Sequence, residues 1–500
     1  MNPPALLHDV LDVRAAATPD AVAVSRGGRS VSYGRLRQAS ERVAGWLAGR
    51  GVRRNDRVVI RAPAQVWVPA LVYGCARAGA VYVLVYERLP APVLRHVLTD
   101  AEPRLLVTDD AASARQAGDL GVAVATPDEV RAACEATGAQ AAPDTAPLPV
   151  DPVSLTYTSG STGLPKAVVS THGQVVFAAT AIQSQLAYQP DDVVYCPLPL
   201  SFDYGLYQIF LSTLAGCRLH LGSSVEAGPQ LLGHLHGCAA TVLPAVPLLA
   251  EGLARMLSRP GSRPPALRLL TNTGATMPDQ VLAELRARIP GLRVQLMFGL
   301  TECKRATIMP PDADLHRPGS CGRALPGTEV FAIDADGRRL PPAEVGELVV
   351  RGPNVMAGYW RRPDLTAARF PRVEGLFPQL RTGDYGSVDQ DGYVYYVGRR
   401  DDLYKERGLR VSATEVETAA ARVPGVRAAA VLVPGADRPR AVLVAVSSLA
   451  PHEILSGLLA ELDDFKIPRH CVVTDRLPVT ANGKIDRQAL AASIEGASRV

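Results

Sequence analysis

One stretch constrains this chain more than any other: residues 153–169, Val-Ser-Leu-Thr-Tyr-Thr-Ser-Gly-Ser-Thr-Gly-Leu-Pro-Lys-Ala-Val-Val. Its first residues alternate apolar and polar, as a half-buried strand does. Six small residues follow, Thr158, Ser159, Gly160, Ser161, Thr162 and Gly163, and then Pro165 and Lys166 lead into a second strand-like run. Glycines let backbone N–H groups turn toward a ligand, hydroxyls add donors, and the lysine adds a positive charge. The set suits a polyphosphate. It is not the G-x-x-x-x-G-K-[ST] loop that opens a helix, because Pro165 and Ala167 flank the lysine and a strand follows. The flanking apolar strands also argue against a plain flexible linker.

The rest of the composition narrows the classes. Five hundred residues predict two or more domains. A net charge of +4 without a long basic run gives no reason to expect nucleic acid. Eight scattered cysteines with no C-x-x-C pair read as reduced thiols in a cytoplasmic protein. No signal peptide is expected in residues 1–20, and the most apolar window, 66–86, is broken by Arg77 and glycines, so no membrane span is expected. Of 53 basic residues only Lys166, Lys304, Lys405, Lys466 and Lys484 are lysines. Where space is tight a compact ammonium cannot be exchanged for a guanidinium, which makes each of the five a functional candidate.

Strand and helix patterns alternate from residue 57 to about 300, which predicts parallel sheet. From 318 to 400, short runs such as Glu329–Ile333, Gly346–Arg351 and 392–397 sit between Gly, Pro and Asp turns, predicting a small antiparallel, barrel-like subdomain. Residues 403–500 read as a small α+β unit. The expected fold is therefore α/β, with a large core at 1–400 and a small unit at 401–500. His172 is expected to start a helix and bond locally.

Thr158–Lys166 resembles the signature of the adenylate-forming enzymes, which include nonribosomal peptide synthetase adenylation domains, acyl- and aryl-CoA ligases and luciferases. The resemblance extends through 271–276, Gly299-Leu-Thr301-Glu302, Gly346-Glu-Leu, Gly358–Leu365, Arg381-Thr-Gly-Asp384, Gly398–Gly408 and Leu477–Arg487. It implies ATP and Mg²⁺ as cofactors. Phosphates would lie on 158–166, Mg²⁺ on Glu302 beside Thr301, and adenine beside Gly274, Ala275 and Phe298. Phe298 stands where the family usually has tyrosine, so stacking is kept and a hydroxyl lost. Asp384 and Arg399 would fix the ribose. Asp401 would be the hinge, Lys405 and Gly408 would belong to the face used in the second step, and Lys484 would enter the nucleotide site. The chain ends sixteen residues after Lys484, so a carrier domain is expected to be a separate protein.

The implied acid pocket includes Phe202, Asp203, Tyr204, Asn272, Thr273, Gly299, Lys304 and Arg305. In amino-acid-activating relatives an aspartate in this Phe-Asp pair binds the substrate ammonium; alternatively Asp203 caps the next helix. Residues 409–417 look more like the CoA-ligase version of their motif. The mixture resembles free-standing ligases that load β-amino acids onto carrier proteins in polyketide pathways, and Lys304 and Arg305 are candidates to read a side-chain carboxylate, to serve phosphate or to form a surface pair. The partners implied are a small carboxylic acid and a carrier protein or CoA. An acyl- or aryl-CoA ligase is the alternative, and a non-catalytic nucleotide-binding module a more distant one. No G-x-G-x-x-G follows a strand, which disfavours a dehydrogenase.

Overall fold

The structure is a computed structural model that describes residues 4–136, 146–158, 165–373, 377–399, 402–406, 409–434, 440–462, 466–480 and 485–497. Two large sheets organise the N-terminal part. One has seven strands, with Lys166–Thr171 beside Pro152–Thr158, then Val81–Leu84, Arg57–Arg61, Leu105–Thr108 and Ala123–Ala125, and the two-residue strand Gly358–Tyr359 at the edge. The other has thirteen strands. In its middle Val22–Arg26, Arg218–Leu221, Val193–Cys196, Val242–Ala245, Leu269–Asn272 and Arg293–Phe298 run parallel. Leu269–Asn272 and Val242–Ala245 are buried along their whole length, as two-faced parallel strands are.

Helices Leu7–Ala17, Tyr33–Gly49, Val68–Arg77, His172–Leu186 and Asp203–Ala215 fill the space between the sheets. Asp203–Ala215 is apolar nearly all round and is correspondingly buried on nearly every side. A second core lies under Leu231–Cys238, Pro247–Leu257 and Asp279–Arg288. Local signals act where the sequence places them. Gly27 and Gly28 take φ of +52° and +79° in the hairpin before Tyr33–Gly49, whose N-cap Ser32 accepts from the Arg35 N–H.

The antiparallel strands are not a detached unit. Met297 and Phe298 pair with Ile308 and Thr307, and the ladder continues through Ser320–Ala324, Tyr393–Arg399, Gln379–Val388, Gly346–Arg351 and Glu329–Ile333. Gln379–Val388 alternates buried and part-exposed residues over most of its length, the signature of a sheet with one wet face. The smaller C-terminal domain carries the hairpin Leu403–Glu406/Leu409–Ser412, a three-stranded sheet and its own core around Val416, Val431, Leu443 and Ile454. No described helix is long and apolar enough to cross a membrane. All eight cysteines are free thiols.

One local expectation fails. His172 does start its helix, but its Nδ1 accepts from the Leu7 backbone N–H at 3.1 Å, 165 residues away. The helix start is instead capped by Thr171 with Gln174. Burial removes the histidine from water, so a distant backbone donor is the partner that remains.

Candidate active site

The two strands that flank the small-residue run pair with each other as the legs of a hairpin. Pro152–Thr158 and Lys166–Thr171 pair antiparallel up to Thr158 opposite Lys166. Ser159, Gly160, Ser161, Thr162 and Gly163 lie outside the described residues. Both feet of the hairpin are fastened to the helix Ala91–Ala101: the Tyr157 hydroxyl donates to Asp100 at 2.8 Å, and His96 Nε2 lies 2.7 Å from the Pro165 carbonyl oxygen.

At the hairpin's return leg Lys166 places its Nζ 4.0 Å from the centre of the Tyr359 ring. The Tyr359 hydroxyl donates to Glu302 Oε1 at 2.6 Å. Burial lowers the Lys166 pKa; the Arg369 and Arg399 charges add to that, while Glu302 opposes it. Lys166, Glu302 and Arg399 therefore share one electrostatic neighbourhood. Across the antiparallel ladder Asp384 faces Arg399, with Arg399 Nε 3.4 Å from Asp384 Oδ1. The turn before Asp384 is fixed by Glu347, which accepts from the Gly383 N–H at 3.1 Å and from Arg381 Nε at 3.0 Å. Phe298 packs against Tyr396, with ring centroids 5.7 Å apart.

Glu302 follows the C-terminal end of a parallel strand, and Thr301 beside it is half-buried. That is the mouth at which open α/β sheets take ligands. Asn272 and Thr273 are buried at the end of the neighbouring strand, and Asn272 Nδ2 donates to the Ala245 carbonyl at 3.2 Å. Gly274, with φ of +92°, and Ala275 are exposed just beyond.

A second cluster lies two residues past Glu302. The chain folds back tightly: a Cβ on Gly299 would sit 2.4 Å from the Lys304 carbonyl oxygen. Lys304 takes a left-handed φ of +63°, which costs a non-glycine residue about 1 kcal/mol. The conformation turns its side chain inward, where Nζ meets Asp203 Oδ1 at 3.0 Å with the two side chains 1% and 6% exposed. Asp203 Oδ2 is buried with no hydrogen-bond partner among the described residues. Asp203 is not the helix cap; Phe202 holds that position, with no side-chain cap bond. Arg305 is buried too, its guanidinium 4.9 Å from the Tyr204 ring centre, and burial pushes its pKa down. Lys304 and Arg305 are thus no surface pair. The Tyr204 hydroxyl, 2.7 Å from Thr271 Oγ1, ties this cluster to the central sheet.

The predicted residues fall together in two adjoining groups, one around Lys166, Glu302, Asp384 and Arg399 and one around Asp203, Lys304 and Arg305. Asp401 and Lys484 lie outside the described residues. Lys405 is placed by its backbone alone, opposite Arg410 in the hairpin. Sequence reasoning did not single out Tyr359, Glu347, His96 or Asp100 as site residues. The first two stand inside quoted motifs, whereas nothing local marks the other two.

Comparison with known proteins covers most of the chain. Residues 11–360 match the AMP-binding enzyme family and 415–484 its C-terminal domain. A feruloyl-CoA synthase from an Amycolatopsis species is 32% identical over 484 residues, 94% of this chain and 96% of its own length. VinN in its complex with L-aspartate is 38% identical, with a TM-score of 0.72 over 79% of this chain and 98% of that one. ATP-bound MatB from Rhodopseudomonas palustris is 28% identical, with a TM-score of 0.86 over 98% of this chain and 99% of that one. The chain belongs to the AMP-binding enzyme superfamily and is an AMP-forming ligase, which activates a carboxylic acid as its adenylate.

Proposed function

We propose that the acid is an amino acid, a β-amino acid of the aspartate class, and that the acyl group passes to the pantetheine thiol of a separate carrier protein. The observation that carries this is the Asp203 Oδ2 without a hydrogen-bond partner among the described residues, beside an oxygen already bonded to Lys304. A buried carboxylate oxygen left unpaired is costly, and an arriving substrate ammonium would satisfy it. Among the described residues of this cluster, the buried cations Lys304 and Arg305 both act on the Asp203 carboxylate. Such a pair suits a substrate with a second carboxylate, and the relative bound to L-aspartate supports the same class.

In the first step a substrate carboxylate oxygen attacks the α-phosphorus of ATP, forming acyl-AMP as the bond to pyrophosphate breaks. Both reactants are anions, so the protein's task is positioning and charge neutralisation. Residues 158–166 hold the triphosphate, Asp384 and Arg399 the ribose, and Gly274, Ala275 and Phe298 the adenine. Lys484 bridges the attacking oxygen and the α-phosphate. Glu302, with one oxygen fixed by Tyr359, would hold Mg²⁺; a lone carboxylate fits an ion that completes its shell with phosphate and water oxygens. Among the described residues no group of three acidic, histidine or cysteine side chains offers a dedicated metal cage. Mg²⁺, when bound, supplies charge neutralisation at the phosphate oxygens. In the second step the thiol sulfur attacks the acyl carbon and AMP leaves. A hinge at Asp401, dividing 1–400 from 401–500, exchanges Lys484 for the face around Lys405 and Gly408.

A CoA ligase is the second reading, favoured by the feruloyl-CoA synthase relative; Asp203 and Lys304 then only shape the pocket. Pyrophosphate release from a panel of α-amino, β-amino and simple acids, followed by thioester assays with CoA and holo-carrier protein, separates the two. Asp203→Ala should cripple amine-bearing substrates alone. An unchanged amine preference in that variant removes the amino-acid reading.

A further inference from the structure

Tyr359 touches Lys166 and Glu302 at the hairpin end of the nucleotide site, and the Arg369 guanidinium also reaches its hydroxyl. It sits on the edge strand Gly358–Tyr359, whose pairing of Tyr359 with Val168 and Gly358 with Val169 carries it alongside the hairpin. The ring is buried and meets Phe370 edge-on at 5.4 Å. One face receives the Lys166 ammonium, and the hydroxyl donates to Glu302 Oε1. Lys166 and Glu302 attract each other, yet no ion pair joins them among the described residues.

We propose that Tyr359 is a positioning residue that keeps Lys166 and Glu302 from neutralising each other before the triphosphate arrives: its ring parks the ammonium and its hydroxyl anchors the carboxylate. The inference rests on assigning Lys166 and Glu302 to the polyphosphate. An ammonium bonded to a carboxylate would have to be pulled free by the incoming phosphates. An ammonium over a ring is held weakly and moves to a phosphate oxygen at little cost. The hydroxyl is suited to its part: its one proton goes to the carboxylate, while the ring face meets the ammonium. Phe370 and the strand pairing fix the ring, so its two contacts stay in register.

Calorimetric titration of MgATP, without acid substrate, tests this in the full-length protein. Tyr359→Phe keeps the ring and loses only the hydroxyl; it should bind MgATP roughly ten- to a hundredfold more weakly, the worth of one hydrogen bond to a charged group. In a Glu302→Gln background the same substitution should change binding less than about twofold, because no carboxylate is left to capture Lys166. Tyr359→Leu, which loses both contacts, should bind more weakly than Tyr359→Phe. Wild-type affinity in Tyr359→Phe, beside weakened Lys166→Ala and Glu302→Gln, overturns the proposal alone. Equal weakening by Tyr359→Phe in both backgrounds also overturns it, since that is the mark of a purely structural tyrosine. Wild-type affinity in both Lys166→Ala and Glu302→Gln brings down the polyphosphate assignment and the proposal together.

Discussion

Removing the ammonium of Lys304 perturbs the buried cluster at Asp203 most directly. Lys304→Met keeps the length of the side chain and leaves the Asp203 carboxylate buried with neither oxygen paired among the described residues. At 3.0 Å the pair attracts by about 5 kcal/mol with an effective dielectric of about 20. Much of that offsets the cost of desolvating two ions, so the intact pair adds little net stability, whereas breaking it by one partner costs about 3–5 kcal/mol. The expectation is a loss of that size for Lys304→Met and a similar one for Asp203→Asn. Asp203→Asn/Lys304→Met, with no charge left to strand, should lose less than the sum of the two by about 2–3 kcal/mol. Urea unfolding followed by tryptophan fluorescence measures this, since Trp46, Trp67 and Trp360 all lie in the large N-terminal domain. Losses that add to within about 0.5 kcal/mol would refute the reasoning, because independent charges are what additivity means.

Three further outcomes follow. Burial lowers the His172 pKa to about 4, with His8 adding to the shift and Asp151 opposing it. The unfolded chain then binds the proton first as pH falls, so stability should decline between about pH 6.5 and 4 by about 3 kcal/mol; His172→Asn should flatten that part of a pH–stability curve. Lys484→Ala should lose adenylation by several powers of ten yet form thioester from supplied acyl-adenylate, and equal loss of both half-reactions would refute two alternating faces. His96→Ala removes one foot of the hairpin and should raise the KM for ATP by about fivefold, one hydrogen bond's worth, with kcat nearly unchanged in steady-state kinetics.

The order of elements was legible because periodicity and turn chemistry agree along most of the chain. The twin glycines at 27 and 28, the strand–helix alternation after residue 57 and the switch to short strands after 318 each appear where the pattern puts them. The candidate site was legible as motifs, since its small residues, hydroxyls and lysine stand close together in sequence. Long-range partners were not. His172 reads as a helix start, and only burial against Leu7 reveals its partner. Asp203 reads as a ligand with a helix cap as the alternative, and the fold-back at Gly299 that carries Lys304 to it leaves no periodic trace. Tyr359 stands in a quoted motif, but its two contacts come from strands nearly 200 residues apart in the sequence and from a loop that follows a third.

The single ladder running through Met297–Ile308 and Phe298–Thr307 has a practical meaning for redesign. It makes the strand end that leads to Lys304 and the scaffold that carries the Asp384 turn one stiff ruler, graduated by hydrogen bonds. Substitutions at Asp203, Lys304 or Arg305 therefore leave the other marks in place only if they keep the buried charges balanced and if Gly299 keeps the fold-back.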